Sequence, residues 1–131
     1  MKRFFWLVLA LAGPLFFSAQ AHEAEPEPAT RVLVQNKYFP KPGQEDAVLA
    51  TRLEASAVRK KLGLEVGVVL LRRSEADGSA LVIWECEYPS IEARQADAAK
   101  AEGSAAFKAV QSKMRPLTEK FERHTWQIIS P

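Results

Sequence analysis

The chain has 131 residues, with 18 lysines and arginines against 16 acids. That is enough for one small domain, and too balanced in charge to present nucleic acid with a basic face. A single cysteine, Cys86, excludes an intrachain disulfide framework, and there is no zinc spacing, glycine-rich phosphate loop, nucleophile elbow or dinucleotide fingerprint.

The chain opens with "MKR", continues with the apolar run "FFWLVLALAGPLFF" and reaches Ala19-Gln20-Ala21. This is the pattern of a secretory signal peptide, residues 1–21, cleaved after Ala21. The run is shorter than the ~20 apolar residues a spanning helix needs, and Pro14 interrupts it. The mature chain is therefore expected to be periplasmic or secreted, with no membrane association after cleavage. Losing Lys2 and Arg3 leaves 16 basic residues against 16 acidic ones. "HEAEPEPAT" (22–30) is rich in proline and glutamate and reads as a flexible leader. Cleavage would make His22 the N-terminus, an amine and imidazole together that suit copper. The leader supplies no further ligand cluster, and no metal site is expected.

The domain proper spans 31–129. "RVLVQNKYF" (31–39) has strand composition, and "PKPGQED" turns the chain into a helix with Gly43 near its N-cap. Val48, Thr51, Ala55, Val58 and Leu62 recur at three- and four-residue spacing, and Gly63 supplies a stop. The basic "RKK" at 59–61 falls in the last turn, where it complements the helix dipole. "EVGVVLLRR" (65–73) and "SALVIWECEY" (79–88) read as strands joined through Asp77-Gly78, a hairpin pair. Cys86, inside the second, is expected to be buried.

Ser90 is placed to cap an alanine-rich helix, Gly103 interrupts it, and Ser104 can cap a second segment. There Phe107, Val110, Met114, Leu117 and Phe121 keep a helical rhythm, with Pro116 bending or ending it. "RHTWQII" (123–129) reads as the last strand. The order β-α-β-β-α-β predicts an α+β, ferredoxin-like fold, a four-stranded antiparallel sheet with helices on one face. In the two middle strands, alternate positions on both faces are apolar. Helices can cover only one face, which predicts a homodimer through the other.

Three motifs on this topology, "QNKYFPKPG", "WECEYPSIEA" and "SAAFKA", resemble the antibiotic-biosynthesis-monooxygenase-like domains of the dimeric α/β-barrel superfamily over residues 31–129. The resemblance implies oxygen chemistry without a bound cofactor, on a small electron-rich aromatic or quinol. In its haem-degrading branch a first-strand asparagine lies seven residues before the turn glycine, as Asn36 does before Gly43. The resemblance thereby puts Asn36 in a pocket between sheet and helices. It matches Tyr88 to a pocket tryptophan and Gln111 to the branch's iron-ligating histidine, so haem is not expected here.

Two readings compete at each position. Asn36 can hydrogen-bond local backbone, or its amide can steady a developing oxyanion. Tyr38, Trp84, Tyr88 and Phe107 can be ordinary core or walls of a pocket for a small apolar or aromatic ligand. His124 can be structural, or the base of the site, since imidazole is the side-chain type suited to moving protons near neutral pH. Asn36 and His124 are thus the candidate catalytic residues. A non-catalytic homodimeric ligand-binding or scaffold module is the alternative.

Overall fold

A computed structural model describes residues 28–131. The signal peptide, its cleavage point, His22 and most of the leader lie outside the described residues. The elements are β1 (Val32–Pro40), α1 (Glu45–Lys61), β2 (Val68–Arg73), β3 (Ala80–Tyr88), α2 (Ile91–Glu102), α3 (Ala105–Met114), a 3₁₀ turn (Arg115–Leu117) and β4 (Thr118–Gln127). The strands form one antiparallel sheet in the order β2-β3-β1-β4, the arrangement expected of a ferredoxin-like α+β fold.

Local chemistry sets most boundaries. The Ser90 hydroxyl accepts the Ala93 N–H and the Ser104 hydroxyl accepts that of Phe107, so both caps stand where expected. Between them Gly103 closes α2. Gly63, at φ +69°, follows the end of α1 in the left-handed conformation that favours glycine.

Two strand boundaries differ from the expected ones. β4 begins at Thr118 rather than 123, because Pro116 ends the helical stretch in a single 3₁₀ turn. The Leu117 carbonyl then accepts the Lys41 N–H at 2.9 Å, and the chain pairs along β1 from Pro40↔Thr118 to Val32↔Gln127. Phe121 is therefore a strand residue, and its helical spacing from Leu117 is coincidental. β2 begins at Val68 rather than 65. The Val66 carbonyl accepts the Trp84 indole N–H at 2.7 Å, and Gly67 turns through φ +68°. A Cβ on Gly67 would stand 2.4 Å from the Glu85 carbonyl oxygen and 2.7 Å from Trp84 Nε1. Gly67→Ala is accordingly expected to cost at least about 2 kcal/mol. A denaturant midpoint indistinguishable from the parent's would contradict this.

Alternation divides the sheet into two faces. Val32 and Val34 of β1 pack with Trp84, Cys86 and Tyr88 of β3 beneath the helices, and Val48, Val82 and Met114 form a second cluster. Cys86 is buried as expected, and burial pushes its thiol above its ordinary pKa, leaving it unreactive. The outer face carries exposed Val68, Leu70 and Trp126. It is less uniformly apolar than the β2 and β3 sequences suggest, because Gln35 pairs there with Glu85 and His124.

The buried stripe of α1 also departs from expectation. It runs Val48, Thr51, Arg52, Ala55, Arg59, so two arginines occupy helix positions facing the sheet. Arg59 is not a solvent-facing partner of the helix dipole.

Candidate functional site

Between the inner face of the sheet and the helices lies a cavity of about 390 Å³. Asn36 and Tyr38 reach it from β1, Trp84 and Tyr88 from β3, Phe121 and Arg123 from β4. Arg52 and Arg59 enter from α1, Asp97 from α2, and Phe107, Gln111 and Met114 from α3. Of the residues singled out in the sequence, Asn36, Tyr38, Trp84, Tyr88, Phe107 and Gln111 thus meet at one place.

Asn36 sits in the row of Val32, Val34 and Tyr38, and only 6% of it is exposed. Its side-chain oxygen accepts a hydrogen bond from Arg123 Nε at 2.9 Å. A guanidinium only donates, so this contact fixes the amide orientation: oxygen on Arg123, N–H₂ available to the cavity. Around it the walls are aromatic, with Tyr38 and Phe121 in tilted contact at 5.2 Å between centroids.

At the far end of β3 a polar network is closed upon itself. Arg59 forms an ion pair with Asp97, the two side chains being 5% and 9% exposed. Arg59 Nε donates to the Glu65 carbonyl at 2.6 Å, and its terminal nitrogen donates to the Tyr88 hydroxyl at 3.2 Å. That hydroxyl donates to Asp97 at 2.7 Å, and the other Asp97 oxygen accepts the Glu65 N–H at 3.2 Å. The Arg59 guanidinium also lies 4.9 Å over the Trp84 ring, a cation–π contact.

Burial, reinforced by the hydrogen bond to Asp97, pushes the Tyr88 phenol far above its ordinary 10.0. The folded state therefore holds this proton more tightly than the unfolded chain. Its contribution to stability is whole below the unfolded tyrosine value, about 10, and is lost as pH rises beyond it. The denaturation midpoint is expected to fall with pH from about 10 upward, and Tyr88 to ionise only as the fold opens. Its ionisation in the native protein at pH 10, seen by ultraviolet titration, would contradict this.

Arg52 has no such network. It is 3% exposed, its guanidinium lies 5.0 Å over Trp84, and burial lowers its pKa from the ordinary value. Among the described residues, Arg52 Nε and Ser56 Oγ are the buried side-chain polar atoms without a hydrogen-bond partner. With Arg59, Arg94, Arg115 and Arg123, five arginines line the cavity against the carboxylates of Asp97 and Glu102, so its field favours an anion.

His124 does not join this site. On β4 it is Arg123 that stands opposite Asn36, while His124 stands opposite Gln35, and alternation puts it on the outer face. Its ring lies 6.0 Å from Trp126 and 3.4 Å from Glu122 Oε2, with its side chain 45% exposed. As the base for a ligand at Asn36 it is ruled out by position. Arg52, Asp97 and Arg123 are site residues that sequence reasoning missed. The available signal was positional: Arg52 and Arg59 each follow a core residue of α1, Val48 and Ala55, by four.

Among the described residues no three potential metal-ligating side chains come together. The cavity lining contains neither histidine nor cysteine, and Gln111 stands on it at the position that the resemblance matches to an iron-ligating histidine.

No family model and no curated protein matches the sequence. Solved structures do match in three dimensions. A protein from Chloroflexus aurantiacus, with the provisional name antibiotic biosynthesis monooxygenase, superposes with a TM-score of 0.53 at 19% identity, over 77% of this chain and 95% of its own. A NIPSNAP-family protein from Agrobacterium tumefaciens gives 0.60 at 17% identity, over 76% and 87%. A Mycobacterium tuberculosis protein gives 0.53 at 22%, over 77% and 97%. The chain has the antibiotic-biosynthesis-monooxygenase-like fold. The matched region is nearly the whole of each neighbour. Identities this low carry the fold and leave the chemistry to the cavity.

Proposed function

We propose that this domain binds a small electron-rich aromatic, a phenol or quinol, in the cavity at Asn36 and promotes its oxidation by molecular oxygen without a bound cofactor. One observation carries the reading: a buried amide presents its N–H₂ to an aromatic-walled cavity whose field favours an anion. The substrate hydroxyl would hydrogen-bond to Asn36. Its ionisation is favoured by the surrounding arginines, which lower the cost of a phenolate and make a dedicated base unnecessary. The phenolate then supplies electrons to oxygen. One oxygen atom bonds to the ring carbon, and the other leaves as water with the displaced ring proton and the hydroxyl proton, giving a quinone.

The test is oxygen uptake by chelator-treated protein given reduced naphthoquinols, above the autoxidation rate. Uptake that follows protein concentration is expected, and rates equal to buffer would overturn the catalytic part. A second reading, a non-catalytic ligand-binding module, is favoured by one fact: the buried carboxylate at the cavity, Asp97, is committed to Arg59 and Tyr88. Ligand binding without oxygen uptake would select it.

The same proposal includes export, from the signal sequence, and pairing of two copies through the outer sheet face, from exposed Val68, Leu70 and Trp126. Intact mass of the exported protein should place its start at His22. Sedimentation should show a dimer at micromolar concentration, and a monomer would contradict the pairing.

A further inference from the structure

Arg52 and Arg59 stand over the same indole, 5.0 and 4.9 Å from its ring, yet their circumstances are opposite. Arg59 has a carboxylate, a phenol and a backbone carbonyl as partners. Among the described residues Arg52 has no ion pair, and its Nε–H has no acceptor, although it is 3% exposed and lines the cavity. A guanidinium does not give up its proton near neutrality. Burying it unpaired, beside a second arginine, is costly unless a counter-charge arrives. Stacking on Trp84 offsets part of that cost but supplies no acceptor for the guanidinium N–H groups.

We infer that the ligand is an aromatic acid, whose carboxylate is received by Arg52 while a ring hydroxyl is held at the Asn36 amide. The inference rests on reading this cavity as the ligand site, and narrows the ligand from a small aromatic to one bearing a negative group besides its oxidisable hydroxyl. A carboxylate suits the planar fork of a guanidinium, which can donate two parallel hydrogen bonds. The aromatic walls suit the ring.

Calorimetric titration of the mature protein with three probes separates the alternatives: 2-naphthoate, the neutral 2-naphthamide of nearly the same outline, and acetate. Naphthoate is expected to bind about tenfold or more tightly than naphthamide, and acetate far more weakly than either. In Arg52→Met the preference for naphthoate should vanish while naphthamide binding persists. The ligand-free variant should also melt several degrees higher, because an unpaired buried charge has been removed. Arg52→Lys, which keeps the charge and loses the fork, should fall between parent and Arg52→Met in preference. Equal binding of naphthoate and naphthamide by the parent, or a preference that survives in Arg52→Met, overturns the inference and leaves the cavity reading standing. Acetate binding as tightly as naphthoate overturns the aromatic acid in favour of a simple anion. An Arg52→Met variant that melts lower, or fails to fold, overturns it by making Arg52 a structural residue. Failure of both ring probes to bind overturns the cavity reading together with this one.

Discussion

Asp97→Ala is expected to lower the unfolding free energy by about 3–5 kcal/mol, the usual penalty for removing one partner of a buried ion pair. Asp97 is the counter-charge of Arg59, the acceptor of the Tyr88 hydroxyl and the acceptor of the Glu65 N–H. Its loss leaves the Arg59 guanidinium without its counter-charge and the Tyr88 phenol without its acceptor, at side chains that are almost wholly buried. For a domain whose total stability is of order 5–15 kcal/mol, that is a large share. The double replacement Arg59→Met with Asp97→Leu should recover much of it, since the charge and its partner go together. Urea melts of the three proteins decide the matter. A loss below about 1 kcal/mol for Asp97→Ala would match a pair reached by solvent and would contradict the closed network.

Asn36→Leu is expected to leave the fold nearly intact and to remove function. Leucine has similar volume and sits well on a strand beside Val34 and Tyr38. The contact it forfeits, to Arg123, involves a side chain exposed to solvent. What disappears is the amide N–H₂ facing the cavity. If that group steadies a developing oxyanion, turnover of quinol-like substrates falls by up to ~10²–10³-fold. If the amide serves only to receive Arg123, the pattern reverses: stability falls by roughly 1 kcal/mol and activity survives. A variant that is less stable and fully active would remove Asn36 from the site.

The fold was legible because its signals are local. Period-two runs in β1 and β3, three–four spacing in α1, and the caps Ser90 and Ser104 each depend on a few adjacent residues. The site was legible only in part. Asn36, Tyr88 and Gln111 came from a resemblance and meet at one cavity. Arg52, Arg59 and Asp97 were hidden because charged residues are ordinarily read as surface; their burial depends on one another and on Trp84, residues up to 45 positions apart in the chain. His124 was assigned without a register. Its parity relative to Asn36 depends on pairing across the sheet, and a shift of one residue changes the face of every side chain. The start of β2 was missed for a similar reason: Gly67 turns where an indole from β3 meets Val66.

That a small aromatic binds on the inner face of the sheet is tested most directly by nuclear magnetic resonance of three side-chain groups during titration with a reduced naphthoquinol under nitrogen. Asn36 and Trp84 line the cavity, whereas Trp126 is opposite Leu33 on the outer face. The account predicts that the Asn36 N–H₂ and the Trp84 indole N–H signals shift together and saturate, with the Trp126 indole unchanged. Shifts confined to Trp126, with Asn36 and Trp84 unmoved, would contradict it.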